Sequence, residues 1–159
     1  MSTLRTRKVE VGDHFLNVHE SGTKSDAHPT LVFLHGSGPG VTAASNWTGL
    51  MTSLGASFHC VAPDVLGFGD SSHPDPAPHG VVEFTEARIT SLFGLLDAME
   101  LGTVVLVGNS MGCVYALEMA ERAPERIAKL VLMGAGNIEN QPTMPGMAKL
   151  ATFYRDPSA

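Results

Sequence analysis

Charged side chains are scarce in this sequence: only 16% of its residues are Asp, Glu, Lys or Arg. So low a share excludes a charge-driven disordered chain and a highly charged scaffold. Basic residues are outnumbered 10 to 16, leaving a net charge of −6. That balance argues against nucleic acid or an anionic membrane as partner. Two cysteines, Cys60 and Cys113, are too few for a disulfide framework and suit a reducing, cytoplasmic setting. No apolar run approaches the ~18 residues of a membrane span. The basic start, Met1 to Lys8, has no apolar segment behind it, unlike a secretory signal. Internal repeats and low-complexity tracts are also missing. What is present is apolar: 43% of 159 residues are hydrophobic, enough for one domain to bury a core.

The apolar residues fall into alternating strand and helix patterns. Val9 to Glu20 reads as two strands around a Gly12-Asp13 turn. Thr30–Leu34 is a short continuous apolar run, suited to a strand buried on both faces. Trp47, Leu50, Met51 and Leu54 recur at helical spacing, with Ser45 or Asn46 as N-cap. Phe58 to Ala62 is a strand stopped by Pro63-Asp64, and Leu66 to Gly80 is loop. Glu83 to Met99 is an amphipathic helix closed by Gly102. Val104 to Val107 is a strand, Gly108 to Gly112 a turn, and Cys113 to Ala123 a helix apolar almost all round and therefore buried. Pro124 ends it, and Ile127 to Met133 is a last buried strand. The tail carries a helix over Met144–Tyr154. Such alternation implies an α/β fold with a mostly parallel central sheet and flanking helices. In these sheets ligands sit at the carboxyl ends of the strands, which directs attention to two glycine loops, at 36–40 and 108–112.

Gly108-Asn109-Ser110-Met111-Gly112 fits G-x-S-x-G between a strand and a helix, the context a nucleophile elbow requires. Glycine at 108 and 112 allows a sharp, strained turn that lifts the Ser110 hydroxyl above the sheet edge. The following helix start places free N–H groups near developing negative charge. The competing reading is a plain turn whose serine caps the helix. His35-Gly36-Ser37-Gly38-Pro39-Gly40 follows the other central strand. It fits neither phosphate loop: no lysine lies between Lys24 and Lys129, and the glycine spacing misses the dinucleotide fingerprint.

These motifs, with Ser45-Asn46-Trp47, Ala62-Pro63-Asp64, Gly67-Phe68-Gly69 and Pro124-Glu125-Arg126, resemble the α/β-hydrolases, and within them the N-terminal part of the meta-cleavage product hydrolases. Those enzymes hydrolyse a carbon–carbon bond in vinylogous 1,5-diketones formed by aromatic ring cleavage. The resemblance implies Ser110 as nucleophile and the backbone N–H groups of Ser37 and Met111 as oxyanion hole. It implies Gly38, Asn46 and Asn109 as the wall around the dienoate end of a small-molecule substrate. It also implies no metal or organic cofactor, and a homo-oligomer in the full-length form. Asn46 could instead be, or also be, a helix cap. The family usually has a second glycine where this chain has Cys113, read here as a small buried thiol.

A serine nucleophile needs a base, and histidine is the usual one. Superfamily order is Ser, then Asp or Glu, then His, yet all seven histidines, from His14 to His79, precede Ser110. His35 is the nearest by motif but supports the oxyanion loop in the family. Asp64 precedes the serine, while Glu118, Glu121, Glu125, Glu139 and Asp156 read as surface or tail charges. The expectation is therefore a hydrolase core at 1–136 and the start of a lid at 137–159, with the C-terminal strands and the rest of the lid missing. Without those strands Ile127–Met133 becomes a sheet edge with exposed apolar faces, which invites association. A carboxylester hydrolase on the same fold, or a non-catalytic binding module if 159 residues is the true length, are the other readings; intact mass from the native source separates the last. The 159-residue chain alone is expected not to turn over a ring-fission product or an activated ester at a triad-like rate. Turnover lost in Ser110→Ala would reveal an internal base.

Overall fold

The computed structural model describes residues 2–135; the segment 137–159 and the helix expected over Met144–Tyr154 lie outside the described residues. β1 (Arg5–Val11) and β2 (His14–Ser21) form the antiparallel hairpin expected around Gly12-Asp13, with Val11 opposite His14. The remaining strands are β3 (Thr30–Leu34), β4 (Cys60–Pro63), β5 (Val104–Asn109) and β6 (Ile127–Met133). All six form one sheet in the order β1-β2-β4-β3-β5-β6. β4, β3, β5 and β6 run parallel, and β2 joins β4 antiparallel.

Helices cover both faces, which is why the central strands are apolar on both sides. On β3, Val32 and Leu34 face a core shared with Leu92, Leu95 and Leu96 of α2 (Gly80–Ala98) and Tyr115 and Met119 of α3 (Met111–Arg122). Phe33 points the other way, onto Trp47 and Met51 of α1 (Ala43–Leu54). Each leucine buried this completely contributes about 1.5–3 kcal/mol relative to exposure. No helix among the described residues is long and apolar enough to cross a membrane.

Four expectations need correction. The cap of α1 is Thr42, not Ser45 or Asn46. Its backbone is extended (φ −137°, ψ 166°), its hydroxyl accepts the Ser45 N–H, and Ser45 Oγ accepts from the Thr42 N–H in return, a capping box. Asn46 therefore lies within the helix with its side chain free for other work. α2 starts at Gly80, before Glu83, because Glu83 reaches back to the His79 N–H and supplies the cap that no Ser, Thr, Asp or Asn offers. α3 is not buried all round: Val114 is half exposed, and Arg122 pairs outward with Glu86 and Glu118. Finally, β6 is not buried. Among the described residues it is the sheet edge, with Val131, Leu132 and Met133 exposed.

At the lower end of the sheet a polar chain crosses four neighbouring strands. Arg7 on β1 donates to Glu20 on β2 at 2.7 Å; the other Glu20 oxygen meets His59 Nε2, just before β4, at 3.2 Å; and His59 Nδ1 meets Thr30 Oγ1 on β3 at 2.9 Å. Burial pushes the Glu20 carboxyl up, but the hydrogen bonds from Arg7 and His59 outweigh it, and the net result lies below the usual carboxylate value. A carboxylate held low in the fold stabilises it fully above its unfolded pKa and loses that contribution as pH falls through the lowered value. Glu20→Gln should therefore reduce the urea midpoint at pH 7. The gap from wild type should close as pH falls toward about 3, read by denaturation at each pH.

Candidate active site

β3 and β5 pair in register from Thr30 opposite Val104 to Leu34 opposite Gly108. Both strands thus end level, and the two glycine loops emerge side by side. Two small residues let them touch. A Cβ on Gly112 would run into the Leu34 carbonyl and come within 2.9 Å of the His35 carbonyl. A Cβ on Gly108 would sit 2.6 Å from the Gly112 carbonyl. Backbone atoms cannot yield to such contacts, so only glycine closes the turn.

Ser110 stands at its apex with φ 52° and ψ −113°, one of two non-glycine residues at positive φ among those described. The strain has structural anchors on both sides. Ser110 N–H donates to the Met133 carbonyl at the end of β6 (2.9 Å), and Ser110 C=O accepts from Cys113 N–H (3.0 Å). Its side chain makes no cap bond to α3, which removes the capping reading, and the residue is exposed. The Cys113 thiol lies buried beneath, donating toward the Gly108 and Met133 carbonyls.

Two of the other predicted site residues, Asn46 and Asn109, gather around this point. A Cβ on Gly36 would lie 3.4 Å from both Ser110 Cβ and Asn109 Nδ2. Asn46 Oδ1 accepts the Gly36 N–H (3.2 Å) and an Asn109 side-chain N–H (2.9 Å). One amide oxygen therefore joins α1, the first loop and the residue before Ser110. The Asn46 amide nitrogen makes no hydrogen bond among the described residues and stays available as a donor. Neither Ser37 N–H nor Met111 N–H has an acceptor among the described residues. These are the two donors assigned to an oxyanion hole, and Met111 begins α3, where the helix dipole adds positive potential. Gly38 lies further out on the loop, at φ 139°.

His35 is fully buried and cannot serve as the base. Its Nδ1–H donates to the Gly36 carbonyl (2.7 Å), and its Nε2 accepts the Val65 N–H (2.9 Å). Both nitrogens are committed to a neutral ring, and burial holds its pKa below the ordinary histidine value. His73 and His79 are exposed. The residue that sequence reasoning passed over is Asp64, dismissed only as a triad acid. Its carboxylate is almost fully buried and accepts from Asn17 Nδ2, Ala43 N–H and Asp70 N–H. An acid directly after a buried strand and before Gly67-Phe68-Gly69 was the available signal.

A serine at positive φ between a parallel strand and a helix, beside a glycine loop, is the strand–turn–helix arrangement expected of the α/β-hydrolase fold. The chain belongs to the alpha/beta hydrolase fold family, whose model matches residues 29–158. It is 38% identical, over 93% of its own length and 55% of the relative's, to 2-hydroxy-6-oxo-2,4-heptadienoate hydrolase of Pseudomonas putida. It is 43% identical, over 77% and 40%, to 2-hydroxymuconate semialdehyde hydrolase of Pseudomonas sp. strain CF600. Its fold matches the 2-hydroxy-6-oxo-6-phenylhexa-2,4-dienoate hydrolase of Rhodococcus sp. strain RHA1 with a TM-score of 0.89 at 33% identity, covering 99% of this chain and 55% of that one. The resemblance to meta-cleavage product hydrolases is thereby borne out. The chain spans about half the length of the relatives it matches.

The backbone at Ser110 costs on the order of 1–3 kcal/mol. Ser110→Gly should recover part of it, raising the melting temperature by about 2–5 °C. A lower melting temperature would show that the hydroxyl itself holds the turn.

Proposed function

We propose that Ser110 is the nucleophile of a hydrolase cleaving a carbon–carbon bond in 2-hydroxy-6-oxo-dienoates, the products of aromatic ring fission. The observation that carries this reading is the convergence at Ser110. Ser110 is exposed and at positive φ, the Ser37 and Met111 N–H groups have no acceptor among the described residues, and the hydrogen-bonded Asn46 and Asn109 side chains lie at the same strand ends. The names of the relatives support the substrate class.

In the keto tautomer, the ketone carbon furthest from the carboxylate would take the Ser110 oxygen. Ser37 and Met111 N–H groups would hold the resulting oxyanion. When the carbon–carbon bond breaks, its electron pair passes into the 2-oxo acid fragment, which takes up a proton. Water then releases the acyl group from Ser110. Asn46 would donate to the carboxylate or 2-oxo group at the far end. His35 is committed to backbone groups and no histidine follows Ser110 in the sequence; in this reading the base and its orienting acid belong to the part of the relatives' length that this chain does not span. The two buried free thiols fit a cytoplasmic enzyme.

The test uses the protein as its native source makes it. Loss of the long-wavelength absorbance of a 6-oxo-dienoate should outpace hydrolysis of a short aryl ester by at least about a hundredfold. Ser110→Ala should lower turnover of the dienoate by about 10³ or more. A preference for the ester would make the protein a carboxylester hydrolase instead.

A further inference from the structure

We infer that Asp64 is a positioning residue that sets the oxyanion loop and the Asn46–Asn109 wall from beneath. The inference rests on the Ser110 reading for its meaning, though not for its test. Asp64 directly follows β4 and lies 99% buried, a place a carboxylate occupies only when fully hydrogen-bonded. Its bonds reach three separate pieces of chain. Oδ1 accepts the N–H of Ala43, the first residue of α1, at 2.7 Å. Oδ2 accepts from Asn17 Nδ2 on β2 at 2.9 Å and from Asp70 N–H in the loop after β4 at 3.1 Å. The Asp64 main chain adds two more, its N–H to the Asn17 carbonyl and its C=O to the Ser71 hydroxyl.

From this hub two routes lead to the site. A negative charge at the N-terminus of α1 is favoured by the helix dipole and fixes the first turn. Asn46 sits three residues on in that turn, and its Oδ1 holds Gly36 N–H and the Asn109 side chain. The second route starts at the next residue: Val65 N–H holds His35 Nε2, and His35 Nδ1–H holds the Gly36 carbonyl. Gly36 is thus gripped by its N–H through one route and by its C=O through the other. The residue after it, Ser37, carries the free N–H. The carboxylate touches no position a substrate could reach, so its effect is on where the donors point.

The experiment is residue-resolved hydrogen exchange and ¹H–¹⁵N spectra of the 159-residue chain and two variants. Asp64→Asn removes the charge and turns one acceptor into a donor. Ala43→Pro leaves Asp64 intact and deletes only the Ala43 N–H. Proline is tolerated at this first helical position, and the extended Thr42 before it is compatible. In both, Gly36 N–H and the Asn109 side-chain amide should shift and exchange about tenfold faster, while Leu106 and Val32 amides in the central strands keep their protection. Asn46→Ala should give the same signature at Gly36 with the Ala43 amide unchanged. Wild-type exchange at Gly36 and Asn109 in a folded variant overturns the inference. So does an equal loss at every amide, which would make Asp64 a stabilising residue with no particular reach. No substrate enters the experiment, so its failure stands apart from failure of the dienoate reading.

Discussion

Everything at the site follows from the register of β3 against β5. Parallel pairing with Leu34 opposite Gly108 ends both strands at one height. The loop leaving β3 and the turn leaving β5 must then share the same few ångströms above the sheet. Backbone meets backbone there, so Gly108 and Gly112 are required by contact with carbonyl groups rather than by turn preference alone. A slip of one residue would reverse every side chain on β3 and bury the wrong face. It would also separate Ser110 from the loop that faces it. The apolar alternation of Val32, Phe33 and Leu34 between two cores is therefore what fixes the chemistry.

The parts of this arrangement that were legible in the sequence are those carried by local patterns. Apolar runs marked the central strands, and G-x-S-x-G between strand and helix marked the elbow. Position along the chain was less legible where the signal was reciprocal or remote. Thr42 and Ser45 cap each other, so reading one residue at a time placed the helix start too late. Of the two roles considered for Asn46 the cap falls away, because Thr42 takes it, and the Asn46 amide oxygen accepts instead from Gly36 N–H and the Asn109 side chain. Asp64 was hidden for a different reason. Its partners lie 47, 21 and 6 residues away, and no periodicity encodes such a convergence. The exposed edge at β6 was legible by another route, from the strands expected to be missing beside it, even though its apolar composition alone reads as a buried strand.

The two ends of the sheet are built on contrasting electrostatic plans. At the lower end a buried acid is matched by Arg7 and His59, and the groups satisfy one another. At the upper end a buried acid faces inward at Asp64, while the N–H groups of Ser37 and Met111 have no acceptor among the described residues. The first plan closes the fold; the second leaves donors in reserve.

The bond from Ser110 N–H to the Met133 carbonyl gives the outermost strand a hold on the strained turn. β6 has a partner on one side only among the described residues. The turn is therefore tied to the last pair of that register, Met133 opposite Asn109. Fraying from the same end would slacken it first, long before the core between the helices is breached.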